Sequence, residues 1–161
     1  MIVFLMLALY VVLKLRHWRP VFRPLGWVWP RTACVILAPI LGLLLAAGVA
    51  FYLRLHGQSM PTTPLIEIVA LGLVLGPILE GSFSLGCLLP VLAHTVGKSL
   101  AVVLTALLFA LFHSPADLVH WASFTGSGVA YGWIRVTSRS TTAPALAHST
   151  YNLALFLLAR F

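Results

Sequence analysis

Residues 64–95 read PLIEIVALGLVLGPILEGSFSLGCLLPVLAHT, and the fold turns on how this stretch is divided. It is apolar almost throughout and too long for one straight membrane span, which needs about 20 residues. It also contains Gly72, Gly76, Pro77, Gly81 and Gly86. Proline removes a backbone donor and crowds the preceding turn, so a helix here bends or breaks near Pro77. The reading taken is one bent helix, with two shorter helices as the alternative.

Other apolar runs flank this stretch on both sides. The spacing predicts helices over about 1–15 and 33–54 before it, and over 98–113, from Ser114 to about 134, and 143–160 after it. Small residues four apart, Ala38, Gly42 and Ala46, suit close helix packing, as do Gly128 and Gly132. Thr63 and Pro64 read as an N-cap and first helical residue. Ser114, Pro115, Ala116 and Asp117 resemble a capping box with proline at the first helical position. Met1 to Leu13 is apolar, with charges after it and no small-residue cleavage pattern, so it reads as a retained helix. The expected fold is all-α: a polytopic transmembrane helical bundle of about six spanning helices, forming a single domain over 1–161.

Composition agrees. Of 161 residues, 61% are hydrophobic and 8% charged, where a soluble domain carries about a quarter charged. The net charge of +7 does not mark a nucleic-acid binder. Half of the basic residues, Lys14, Arg16, Arg19, Arg23 and Arg31, cluster with Trp18, Trp27 and Trp29. That pattern reads as a cytoplasmic membrane interface. With this loop inside, Lys98, Arg135 and Arg139 fall on the same side, eight of ten basic residues in all. Both termini are then expected outside the cytoplasm. Two spans within 64–95 would invert the downstream half and lose this agreement. Cys34 and Cys87 read as small buried hydrophobes, with no CxxC pair.

The chain has three acidic residues, Glu67, Glu80 and Asp117. Glu67 reads as a solvated first-turn carboxylate and Asp117 as a capping residue. Glu80 has apolar sequence on both sides. An ionisable group at such depth costs about 2.5 kcal/mol or more, so a partner, a wet cavity or protonation must offset it. His113 ends one apolar run, four residues after Phe109 and on the same face. His148 lies in the last helix, with Asn152 one turn later. At 1.5 Å per residue, His113 and His148 sit roughly 22 Å and roughly 9 Å from the inner ends of their helices. Both depths fall within the bilayer, as does Glu80. His17 and His56 read as solvated loop residues, His94 as lying near an inner helix end. His120, beyond the Ser114–Pro115 break, shares no face with His113.

A buried carboxylate beside a neutral histidine can hold and deprotonate a water. An asparagine and a second histidine can donate hydrogen bonds to an oxyanion. These are the parts of a peptide hydrolase with no covalent nucleophile. No HExxH motif is present and no cofactor is read from the sequence. Glu80, His113 and His148 as a zinc set is the metal-dependent alternative.

Three short motifs carry a family resemblance: Pro77 to Glu80, Phe109 to His113, and His148 to Asn152. In this order, in membrane helices, the chain resembles the CAAX protease and bacteriocin-processing (CPBP, or Abi) family of glutamic-type intramembrane proteases. Its motifs are EExxxR, FxxxH and HxxxN, and residues 140–144 before the third are similar to its loop. The resemblance covers about 64–158. It implies that Glu80 and His113 activate water, that His148 and Asn152 form the oxyanion hole, and that Phe109 supports His113. The implied substrate is a membrane-anchored protein or peptide, cleaved in the bilayer, with no nucleic acid involved. A bacterial branch in the inner membrane is implied by analogy. Gly81 stands in place of the second Glu and Leu85 in place of the Arg. An acid and a base are lost together, and if those two normally support each other, their joint loss leaves no unpaired charge at these two positions. An inactive scaffold or immunity-type relative is the alternative, and a proton-coupled transporter built around Glu80 is a third reading.

Overall fold

The computed structural model describes residues 25–57 and 68–160, which hold five helices and no strand. The expected first helix, most of the basic cluster, the Thr63–Pro64 cap, Glu67 and His17 lie outside the described residues.

Helix α1 (Thr32–Leu55) buries Ala38, Gly42, Ala46 and Ala50 on one face. That face lies against the last helix, α5 (Thr142–Leu158). A Cβ at Gly42 would collide with the carbonyl oxygen of Ala147, so only glycine allows this approach. Ile36, Leu37, Leu44 and Phe51 point outward and are exposed. Only 22% of the most apolar part of α1 is buried. A core helix of a soluble protein hides most of its surface, whereas this outer face suits lipid.

Helix α2 runs unbroken over 68–96. Its pitch changes three times: π-helical at Ile68–Leu75, α-helical at Gly76–Glu80, π-helical at Gly81–Leu88, and α-helical at Leu89–Val96. The 64–95 stretch is therefore one element over its described part. Pro77 is absorbed by a change of register and does not break the helix. Proline has no N–H, so the carbonyl one α-turn back, Leu73, and the one a π-turn back, Gly72, both lose a donor. Helix α5 replaces them. The Ser149 hydroxyl donates to Leu73 O (2.7 Å) and the Asn152 amide to Gly72 O (2.7 Å).

Gly97 ends α2 at φ +83, a left-handed backbone that other residues rarely take, and α3 (Lys98–Phe112) begins at once. Helix α4 (Leu118–Ser138) packs along α3. A Cβ at Gly128 would lie 2.9 Å from Ala106 Cα, and one at Gly132 3.1 Å from Val102. The capping role expected of Asp117 holds, while the capping box with Pro115 at the first helical position is corrected. The helix begins three residues later than Pro115, and Asp117 is itself the N-cap, accepting from His120 N at 2.9 Å. Extended backbone at Asp117 aims its carboxylate at the open N–H groups, which Ser114, in a left-handed turn at φ +48, cannot do. Cys34 and Cys87 are free and half-buried.

Two of the five helices are long and apolar enough to cross a membrane, Thr32–Leu55 and Leu71–Val96, while the apolar α3 is shorter. Residues 25–28 strap the end of the bundle. Gly26 O accepts from Thr141 N at 2.7 Å, Leu25 O from the Thr141 hydroxyl, and Val28 O from the Ser140 hydroxyl. The Trp27 indole donates to Ser82 Oγ at 2.9 Å.

Candidate active site

Glu80 sits where α2 passes from α to π pitch. Its Oε2 is buried and hydrogen-bonds to no described group. Two imidazoles flank that oxygen: His113 Nε2 at 3.7 Å and His148 Nδ1 at 3.9 Å. They come from the C-terminal end of α3 and from α5, so three separate helices converge on one carboxyl oxygen. Both separations exceed a direct hydrogen bond, so neither imidazole closes on the carboxylate.

The orientation of His113 is fixed from behind. Its Nδ1 lies 2.7 Å from Phe109 O. A carbonyl only accepts, so Nδ1 carries the proton. In the neutral ring Nε2 then has a lone pair, directed toward Glu80. The ring lies between Phe109 (centroids 4.4 Å apart) and Phe124 (4.5 Å, stacked). Phe109 thus holds His113 through both backbone and ring, and its ring also meets His148 edge-on at 6.2 Å.

Asn152, one turn of α5 beyond His148, has its amide on Gly72 O. Among the weaker histidines, His120 pairs with Asp117 at 2.9 Å and His56 stacks on Tyr52, both at exposed positions, and His94 is exposed. No group of three or more His, Cys, Asp or Glu side chains among the described residues is arranged to hold a metal ion.

A cavity opens beside the cluster, walled by Pro77, Glu80, Thr105, Phe109, Tyr131 and His148 among others. About 10 Å³ of it is open to the centre of a water molecule, near the threshold for holding one. Gly81 and Leu85, the two departures in the first motif, lie on its wall. Gly81 is covered by the Trp27 ring, 3.7 Å from where a Cβ would be, and Leu85 is 7% exposed within the apolar core. Apolar packing fills the places where the resembled family carries charge.

Sequence reasoning missed Phe124 and Tyr131. Tyr131 stacks on His148 (5.2 Å, 24°) and meets Phe109 edge-on. The available signal was their spacing: both share a face of α4 with Gly128, whose close packing on α3 turns that face inward.

Comparison with known proteins adds to this geometry. The search of curated relatives and the search of solved structures each gave no match. A family described as type II CAAX prenyl endopeptidase Rce1-like matches residues 60–154, more than half of the chain and the part that holds all three motifs. Such proteins are integral membrane endopeptidases, in keeping with the two long apolar helices. The chain belongs to the Rce1-like family of type II CAAX prenyl endopeptidases.

Proposed function

We propose that this protein is a glutamic-type intramembrane endopeptidase that cleaves a peptide bond near a membrane-anchored segment of its substrate. The observation that carries the reading is the approach of His113 and His148 to the buried Oε2 of Glu80. A water between Glu80 and His113 gives one hydrogen to the carboxylate and the other to the Nε2 lone pair. Its own lone pair then faces the scissile carbonyl. Glu80 takes the proton as the water oxygen bonds to carbon, and the carbonyl electrons move onto oxygen. His148 donates a hydrogen bond to that oxyanion. Asn152 gives one amide hydrogen to Gly72 and keeps its second for the same charge. Collapse of the adduct breaks the C–N bond, and Glu80 returns the proton to the leaving amine.

On this reading the chain forms one transmembrane domain of about six spans, with residues 64–158 as the catalytic core. Both termini face away from the cytoplasm of a bacterial inner membrane. The substrate class is a lipid-embedded protein or peptide, and the family's prenylated CAAX peptides are the first probe to try.

The test is processing of a farnesylated CAAX peptide, and of co-expressed membrane-anchored reporters, by protein in lipid nanodiscs. Cleavage by the wild type, lost in Glu80→Ala and His113→Ala, is the expected result. Unchanged cleavage in both variants removes the mechanism. The Gly81 and Leu85 departures favour a second reading, an inactive scaffold, and no cleavage of any probe by the wild type supports it.

A further inference from the structure

The cavity beside Glu80 contains a group that this mechanism has not used. Tyr131 is 3% exposed, and its hydroxyl is buried without a hydrogen-bond partner. Ser127, one turn earlier on α4, approaches it without completing a bond. An unpartnered buried hydroxyl is unfavourable, and phenylalanine would occupy the same space without that penalty. Nothing in the packing of the ring requires the oxygen. The ring stacks on His148 at 5.2 Å and meets Phe109 edge-on at 6.5 Å, contacts a phenyl ring makes equally well.

The position of the hydroxyl gives it a use. Tyr131 walls the same cavity as Glu80 and His148, whereas Asn152 is not among the cavity's walls and has its amide on Gly72. Of the two oxyanion donors expected from sequence, Asn152 has one of its two amide hydrogens committed to holding α2, which leaves a single hydrogen for the charge. A neutral phenol is a hydrogen-bond donor, and donors kept ready in a dry site are the groups that stabilise charge developing on a carbonyl oxygen.

We propose that Tyr131 is a catalytic residue of this site, donating its hydroxyl hydrogen to the scissile carbonyl oxygen as that oxygen becomes negative. The proton stays on the phenol throughout. The water proton moves to Glu80 and then to the leaving amine, so Tyr131 enters and leaves the cycle in the same state. The proposal rests on the endopeptidase reading and adds a residue to it.

Tyr131→Phe, Glu80→Gln and the wild type are compared on a farnesylated CAAX peptide in nanodiscs, with thermal unfolding measured in parallel. Tyr131→Phe is expected to lower kcat by about 10²–10³-fold, the usual cost of losing one oxyanion donor, with KM little changed. Its Tm is expected to stay or rise, because an unpartnered hydroxyl has gone. Three results overturn the assignment: kcat near wild type, a change confined to KM, or a kcat loss that comes with a lowered Tm. Glu80→Gln separates the two claims. If it is inactive and Tyr131→Phe is fully active, only Tyr131 is excluded. If Glu80→Gln keeps its activity, or the wild type cleaves nothing, the site reading fails and the proposal falls with it.

Discussion

Helices α1 and α2 are both apolar and long enough to cross a membrane, yet they solve different problems. Helix α1 is regular over 24 residues, with a line of small side chains on one face and large apolar ones on the other. It needs only a partner that fits, and Gly42 against Ala147 provides the fit. Helix α2 changes pitch around Gly76 and again after Glu80. Where Pro77 leaves carbonyls without donors, the chain must find donors elsewhere, because lipid offers none. Ser149 and Asn152 supply them. Of these two helices, the regular one serves packing, and the irregular one carries the buried carboxylate and the carbonyls that need donors from a neighbour. Helix α5 serves both from adjacent residues on different sides, packing Ala147 on α1 and aiming His148 at Glu80.

The largest expected effect separates the two helices by chemistry. Glu80→Gln on α2 keeps size and hydrogen bonding but removes the base, and should lower cleavage by about 10²–10⁴-fold. Leu44→Ala, on the exposed face of α1, should leave the rate near wild type in the same assay. A comparable loss from both would erase the distinction.

The next effect separates them by packing. Gly42→Ala puts a methyl group into the Ala147 carbonyl and should destabilise by about 1–3 kcal/mol, read as a lower midpoint in detergent unfolding. Gly48→Ala, on the same helix with open space around it, should be neutral or slightly stabilising. Equal effects at both positions would remove the close approach as the basis of α1 anchorage.

Smaller again is the loss of the donors to α2. Ser149→Ala should cost about 0.5–1.5 kcal/mol, and Pro77→Ala, which restores a backbone N–H, should reduce that cost. Additive costs in the double variant would contradict the pairing of Ser149 with the carbonyl that Pro77 leaves open.

The smallest effect lies at the start of α4, outside the spans. The backbone N–H of His120, and then its ring, hold the Asp117 carboxyl below its usual value. A carboxyl depressed in the folded state contributes stability above its unfolded value and loses it as pH falls through the folded one. Asp117→Asn should flatten the stability profile in that acidic window and change little near neutrality.

Much of this was legible in the sequence because lipid makes patterns strict. Long apolar runs and small residues four apart leave few choices for Thr32–Leu55, and Glu80 stands out as an ionisable residue in the wrong solvent. His113 and His148 were found by the same reasoning, and the structure brings both to Glu80. Less was legible where side chains choose between neighbours. Asn152 follows His148 by one turn, but its partner Gly72 lies in a π stretch, Ile68–Leu75, that no local pattern announces. The start of α4 was misplaced because Ser114 and Asp117 both make acceptable caps, and backbone angles decide between them. Tyr131 and Phe124 read as ordinary packing residues until the fold sets them beside imidazoles.

The central claim is that Glu80 and His113 act on one water. It is tested most directly by a double-mutant cycle in cleavage rate: Glu80→Gln, His113→Ala and the double variant, each in nanodiscs with the same peptide. Groups that act as a unit are far from additive. The account predicts that the double variant is about as slow as the slower single variant. Losses that multiply would show the two residues acting independently, and would contradict it.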